Sequence, residues 1–180
     1  MASYKILIND RNYQDWSLVD ALSLNETEKI DIEPVKSKLF SSDVFELHDK
    51  TVNILHSSVR SMPSIPGILV LKNSKTFGKC KDKYLYKCIP DDRRFPVFVV
   101  PYNLKLGFSK NIDNKYIVFR FDNWNGKHPQ GTIVSVLGDV DILANYYEYQ
   151  LYCKSLYASI QTFNKASNDA LKEKTEQEFI

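Results

Sequence analysis

The sequence predicts a mainly β fold: a small closed barrel with a C-terminal α-helix. Its 180 residues include 11 Tyr and 10 Phe but only 6 Gly, a balance that favours sheets with bulky side chains over a glycine-looped nucleotide binder. Short apolar and aromatic runs follow one another from Thr51 to Leu137, and turn residues separate them. After Gly138 the apolar residues recur at helical spacing.

The first fifty residues carry weaker strand signals. Residues 4–8 predict a short strand, and a polar turn at residues 9–12 follows it. Residues 20–38 are acidic and contain Pro34, so we expect an irregular connection there. A second strand is expected at residues 43–47.

The middle of the chain is a succession of strand-like runs without intervening helices. These runs are residues 51–60, 65–72, 84–89, 95–100, 115–121 and 132–137. Short strands at this spacing are typical of a small closed barrel rather than an α/β layer fold. In the fifth run, alternation predicts Ile117, Phe119 and Phe121 in the core and Arg120 on the opposite face.

The C-terminal segment predicts one long amphipathic helix from about Leu143 to Glu176, with a break near Asn145. Leu156, Ile160 and Phe163 fall on its apolar stripe. Such a stripe needs an apolar partner, inside this chain or in another domain.

Other features of the sequence place the protein in the cytoplasm. No stretch approaches the roughly 18 apolar residues of a membrane span, so no membrane partner is expected. Lys5, Asp10 and Arg11 stand where a secretory signal would need an apolar run. Three cysteines without a C-x-x-C pair favour reduced, packed thiols over disulfides or a zinc knuckle.

The charge of the chain is concentrated in its middle. The formal net charge is only +2, yet Arg60 to Lys127 contains fourteen Lys and Arg against five Asp and Glu, a local net charge of +9. The two flanking segments are acidic. This distribution indicates a cationic surface on the barrel.

Several motifs in this basic region carry a family resemblance. They are Asp122-x-Trp124, Pro129-Gln130-Gly131 and Leu137-Gly138, preceded by P-D-D-R-R-F-P at residues 90–96 and L-F-S-S-D-V-F at residues 39–45. In this order they resemble the cold-shock domains of ribonuclease II family (RNB) 3′-to-5′ exoribonucleases. The pattern is most similar to that of the exosome hydrolytic subunit.

The resemblance implies an OB-type (cold-shock-like) five-stranded barrel preceded by a shortened or degenerate first barrel. It divides the chain into a degenerate first cold-shock segment at residues 1–50, a second cold-shock domain at residues 51–141 and a helix at residues 142–180. That helix would lead toward a nuclease domain, in this or another polypeptide, so the ending at Ile180 has the look of a truncation. In the family, Mg²⁺ is implied for that nuclease domain, and no cofactor is expected in this chain.

Single-stranded RNA is the expected partner, because OB barrels bind single strands with a cationic groove and with aromatic faces. The RNA-binding candidates are Lys79, Tyr86, Lys87, Arg93, Arg94, Phe108, Lys110, Arg120, Trp124 and Lys127. Arg93, Arg94 and Lys127 are the preferred phosphate contacts, and Tyr86 and Phe108 are the stacking candidates, although alternation could equally point these two rings inward. Trp124 is either a barrel plug or a stacking platform, and the usual burial of large aromatics favours the plug.

No catalytic or metal-binding set is predicted in this chain. Asp139 and Asp141 lie two residues apart without a further carboxylate or histidine cluster to complete a coordination shell. A turn after the last strand explains them better. The sequence therefore leaves two functions open: an RNA-binding feeder for a nuclease domain, which is predicted inactive alone, or an OB-fold module that binds a protein through its C-terminal helix.

Overall fold

The structure is a computed structural model that describes residues 2–28, 30–49, 51–72, 75–104, 112–156 and 160–173. Its strands are β1 (Ser3–Ile8), β2 (Trp16–Asp20), β3 (Val44–His48), β4 (Thr51–His56), β5 (Ile65–Leu69), β6 (Lys79–Cys80), β7 (Lys83–Pro90), β8 (Phe98–Tyr102), β9 (Lys115–Asn123) and β10 (Gln130–Asp139). Its helices are α1 (Ser58–Ser61), α2 (Leu143–Cys153) and α3 (Ile160–Glu173). None of these helices is long and apolar enough to cross a membrane.

The N-terminal strands form a four-stranded antiparallel sheet in the order β2-β1-β3-β4. Strand β1 alternates as its sequence predicts, so that Ile6 and Ile8 are fully buried. Phe45 of β3 is fully buried as well. The sheet corresponds to the segment that the sequence assigns to a shortened first barrel.

The first sheet extends beyond the division predicted at residue 51. Strand β4 begins at Thr51 and pairs with β3 from Val44 to His48. A cut at residue 51 would therefore separate two hydrogen-bonded strands. Pairing depends on contacts that local strand propensity does not encode, which explains why the sequence placed this run with the barrel.

A closed five-stranded barrel follows, in the order β5-β9-β10-β8-β7. Strand β5 pairs with both β9 and β7 and so closes the ring. All these pairings are antiparallel except β8 with β10, which is parallel. The fold is therefore mainly β and OB-like, as predicted, with the short strand β6 added to the edge of β7.

Strand β9 shows how the sequence pattern builds two cores. Ile117 and Phe119 are fully buried inside the barrel, and Phe121 packs against them, as alternation predicts. On the opposite face Tyr116 and Val118 are also buried, because helix α2 covers them. Only the part of this face beyond the helix remains accessible.

The first sheet and the barrel share one apolar core. Phe40, from the connection before β3, packs on Trp124 with ring centroids 4.9 Å apart and on Phe98 at 5.8 Å. The Arg11 side chain donates to the carbonyl oxygens of Pro90 (2.6 Å) and Phe95 (3.1 Å) and so ties the first sheet to the β7–β8 loop. The two sheets therefore form one packed unit.

The predicted C-terminal helix is wrong in its continuity. Helix α2 ends at Cys153, where Ser155 adopts a left-handed φ of 58° and the N–H of Leu156 donates to the carbonyl oxygen of Leu151 (2.8 Å). This is a Schellman ending. The break thus lies ten residues beyond the predicted position near Asn145, and α3 follows as a separate helix.

Candidate nucleic-acid interface

A cleft of about 590 Å³ opens between two connections of the barrel. One is the β5–β7 connection (residues 70–82), and the other is the β9–β10 loop (residues 124–129). The cleft is lined by Phe77, Cys80, Leu85, Val99, Asp122, Asn123, Asn125, Gly126, Lys127, His128 and Gln130. OB folds bind their ligands at this location, between the first and the last strand connections.

One wall of the cleft is aromatic. The Phe77 ring is 45% exposed and meets the His128 ring edge to face, with centroids 5.7 Å apart. Tyr84, at the start of β7, does not line the cleft, and the Lys79 ammonium lies 4.6 Å from its ring centroid. Phe77 therefore supplies the exposed ring of this wall on which a base could stack.

The rim of the cleft is cationic. Lys79, Lys81 and Lys83 are exposed on the β6–β7 hairpin, and Lys127 is exposed on the opposite loop. Within the described ranges, no carboxylate forms an ion pair with any of these four ammonium groups. They are therefore available to phosphates.

His128 adds little positive charge to this rim. Burial lowers the pKa of its imidazole, and the nearby ammonium groups of Lys127 and Lys87 lower it further. The ring is therefore neutral at neutral pH and supports Phe77 as a packed aromatic surface.

The floor of the cleft is polar and carries one carboxylate. The Asp122 Oδ2 atom accepts from the Asn123 side-chain amide (3.1 Å) and from the Gln130 side-chain amide (3.3 Å). The same Gln130 amide also lies 3.4 Å from the Cys80 sulfur. These bonds orient Asp122 between strands β9 and β10.

Two of the predicted aromatic contacts, Tyr86 and Trp124, have buried rings. Tyr86 is 7% exposed and packs inside the barrel, since Tyr86 and Cys88 take the inward positions of β7. Trp124 is 5% exposed and packs on Phe40, so it is the plug that its size favoured. Neither ring presents a face to a base.

The arginines of the P-D-D-R-R-F-P motif lie outside the lining of the cleft. Arg94 donates to the Asp92 carboxylate at 2.7 to 3.2 Å, and it lines a separate cavity of about 290 Å³ beside Tyr152. Arg93 is exposed on the β7–β8 loop. Its predicted phosphate contact stays a prediction, while the Asp92 partner makes Arg94 a weaker candidate.

The remaining predicted contacts have mixed positions. Lys127 lines the cleft, and Lys79 borders it on the hairpin. Lys87 is half-buried on β7, and Arg120 is exposed on β9 opposite Thr132. Phe108 and Lys110 lie outside the described residues.

Asp139, the last residue of β10, has structural contacts. The Lys115 ammonium forms an ion pair with Asp139, and the Asn145 amide donates to the Asp139 carbonyl oxygen (3.0 Å). Across the described ranges, no three His, Cys, Asp or Glu side chains are grouped closely enough to hold a metal ion.

The RNA contacts predicted from the sequence did not include Phe77, Asp122 or Gln130, which line the cleft. The signal that could have found them is the position of the turns: OB folds bind at two particular strand connections. Phe77 lies in the first of these connections, while Asp122 and Gln130 flank the second. Local composition pointed instead to every basic residue of the segment.

Comparisons with known proteins agree with this fold. The family model of the Dis3-like cold-shock domain 2 (CSD2) matches residues 85–149. The solved structure of yeast Ssd1, described as a pseudonuclease, has a TM-score of 0.52 at 14% identity, covering 83% of this chain and 24% of that one. The apo form of Mycoplasma genitalium RNase R has a TM-score of 0.46 at 14% identity, covering 93% of this chain and 26% of that one.

The chain therefore spans about a quarter of the length of these two proteins. No curated protein sequence matches it. The family match begins within β7 and ends within α2, so it includes the motif residues at 90–96 and 122–138. Residues 85–149 are thus similar to a Dis3-like cold-shock domain 2, which confirms the predicted resemblance to the N-terminal cold-shock region of ribonuclease II-family proteins.

Proposed function

We propose that the barrel binds single-stranded RNA in its cleft and guides the strand toward a metal-dependent nuclease domain in the same or another polypeptide. The observation that carries this proposal is the cleft itself, which combines the exposed Phe77 ring with a rim of lysines that form no ion pair within the described ranges. Single-strand binding requires both, because rings stack bases and ammonium groups neutralise phosphates.

A path for the strand beyond the cleft supports a guiding role. Lys127 and His128 line the cleft on one side and a second cavity of about 300 Å³ on the other. This second cavity lies between the barrel and the first sheet, where Arg11 and Asn12 line it. A strand that crosses the Lys127 loop would therefore leave the barrel toward the N-terminal sheet.

The chemistry of strand cleavage is assigned to a different domain. In the resembling exoribonucleases the carboxylates that hold Mg²⁺ belong to a separate nuclease domain, and this chain resembles only the cold-shock region. Its contribution would be to raise the local concentration of RNA and to orient the strand. We therefore also propose that RNA is cleaved by the whole protein, of which this chain supplies the RNA-binding part.

The experiment is a salt series on RNA affinity, measured by fluorescence anisotropy with a short oligouridine. Lys79, Lys81 and Lys127 are replaced together by alanine. Each phosphate contact contributes about 0.7 to the log–log salt slope for a single strand, so the triple variant should bind more weakly and lose about 2 from that slope.

The matched control replaces Lys36, Lys165 and Lys172, three exposed lysines remote from the cleft, so that the change of formal charge is the same. Its salt slope should match that of the original protein. An unchanged slope in the cleft triple, or equal losses in both triples, would show that the cleft is not the binding surface.

A second candidate function rests on the exposed apolar residues of the two C-terminal helices. Tyr147 of α2 is 55% exposed, and Phe163 and Leu171 of α3 are 69% and 57% exposed. This surface favours a protein partner. Salt separates the two functions, because apolar contacts persist at salt concentrations that release RNA.

A further inference from the structure

The polar floor of the cleft presents mainly hydrogen-bond acceptors. Asn123 and Gln130 both direct their side-chain amide N–H groups at Asp122 Oδ2. Their carbonyl oxygens and Asp122 Oδ1 accept no hydrogen bond from any residue within the described ranges. A ligand that fills this floor must therefore supply donors.

A carboxylate at this position does not serve phosphate binding. It would repel the RNA backbone, which the lysines on the rim attract. Asp122 nevertheless accepts hydrogen bonds from two side-chain amides, and it lines the same cleft as Phe77. This placement fits recognition of a base edge, because carboxylates discriminate bases by accepting hydrogen bonds from their N–H groups.

Guanine is the base whose donors match this floor. Its Watson–Crick edge carries two adjacent donors, N1–H and the N2 amino group. On that edge adenine has one donor beside one acceptor, cytosine has one donor beside two acceptors, and uracil has one donor between two acceptors, so each would place an acceptor against the oxygen atoms. The volume of about 590 Å³ lies within the usual range of roughly 300–1,000 Å³ for small-molecule sites.

We propose that the cleft contains a subsite for one guanine base of a bound RNA strand, with Asp122 as the specificity-determining acceptor. The N1–H and N2 amino groups donate to the acceptor oxygens around Asp122, and the purine stacks on the Phe77 ring. Lys127 at the rim neutralises a neighbouring phosphate. This subsite rests on the proposed RNA-binding function and makes it selective at one position.

The test compares short oligouridines that differ at one central nucleotide: uridine, adenosine, guanosine or inosine. A matched set of base contacts is worth about a tenfold discrimination, so the guanosine strand should bind about tenfold more tightly than the all-uridine strand. Inosine lacks the N2 amino group. The logarithm of its affinity gain over the all-uridine strand should therefore be smaller than that of guanosine by at least a third. Anisotropy at one moderate salt concentration provides the affinities.

Two variants localise the preference. Asp122→Asn replaces the acceptor with a group that also donates, so the ratio of guanosine to uridine affinity should fall towards one. Asp82→Asn removes a carboxylate from the turn of the β6–β7 hairpin, outside the cleft lining, and should keep the ratio. Circular dichroism checks that both variants are folded.

The outcomes distinguish the subsite from the function on which it rests. Equal affinity for the four strands, a preference for another base, or a guanosine preference that survives Asp122→Asn would overturn the subsite while RNA binding stands. Failure of every strand to bind would overturn the proposed function and the subsite together.

Discussion

Gly138 lies where the barrel ends, one residue before Asp139 and close to the start of helix α2. Its φ of 137° belongs to a region that side chains rarely adopt, and a Cβ atom built on it would lie 2.2 Å from the Asn145 side-chain nitrogen. That nitrogen already donates to the Asp139 carbonyl oxygen. The L-G pair of the family motif therefore has a steric reason: no larger residue fits this approach.

Replacing Gly138 with alanine should lower the free energy of unfolding by about 1–3 kcal/mol, because it combines backbone strain with the clash against Asn145. Urea denaturation followed by circular dichroism measures the change.

Gly126→Ala is the matched control, since a Cβ there would have no neighbour within 4 Å. We expect it to change stability by less than about 0.5 kcal/mol. Equal effects of the two substitutions would refute the steric account of Gly138.

Individual side chains also show where sequence reasoning reached its limit. One face of β7 carries tyrosine and cysteine side chains, and the other carries lysine, leucine and isoleucine. Neither face is therefore clearly apolar. Tyr84 and Tyr86 share a face, yet Tyr84 is 46% exposed at the mouth of the barrel while Tyr86 is 7% exposed inside it. Position along the strand, which alternation does not encode, separates an exposed ring from a core residue.

At the level of secondary structure, helix α2 packs on the barrel through aromatic contacts with Tyr116 of β9, made by Tyr146 and Tyr149. Tyr149 is 3% exposed, and its ring stacks on Tyr116 of β9 with centroids 4.3 Å apart. Its hydroxyl donates to the Asp91 carboxylate (3.2 Å), which connects the helix to the β7–β8 loop. The apolar spacing after Gly138 predicted this helix, but the left-handed Ser155 that ends it has no glycine or proline to mark it.

Tyr149→Ala should destabilise the protein by about 3 kcal/mol, the usual cost of removing a buried aromatic side chain. Thermal or urea unfolding gives the value, and near-ultraviolet circular dichroism reports the loss of aromatic packing.

Tyr147, two residues earlier on the same helix, is 55% exposed and provides the control. Its replacement with alanine should change stability by less than about 0.5 kcal/mol. A loss at Tyr149 no larger than that at Tyr147 would show that this contact does not hold the helix.

For the whole molecule, the motif at residues 90–96 connects the parts that the sequence treated as separate. Arg11 of the first sheet donates to its carbonyl oxygens, and Tyr149 of α2 donates to its Asp91 carboxylate. The sequence identified this motif by its family resemblance, and the phosphate contacts predicted for Arg93 and Arg94 stay a prediction. Nothing in local composition distinguishes a loop that joins three elements from a loop that binds a ligand, since both are rich in polar side chains.

The order of the motifs allowed the barrel and its family to be predicted from the sequence. The sequence predicted only some of the residues that line the cleft. The cleft brings residues near position 80 together with residues near position 125, and these are far apart along the chain. Basic and aromatic residues occur throughout this region, so only the closed strand order selects the few that face one cavity. The contacts predicted from the sequence included Lys79 and Lys127, but they did not include Phe77 and Asp122.

The central claim is that RNA occupies the cleft between the β6–β7 hairpin and the β9–β10 loop. The most direct measurement is an NMR titration of the ¹⁵N-labelled chain with a short single-stranded RNA, in which amide shifts are followed residue by residue. The largest shifts should map to residues 77–80, 84–87 and 122–130, with little change in helix α3. Shifts concentrated at residues 91–94 or on the C-terminal helices, with the cleft amides unmoved, would contradict it.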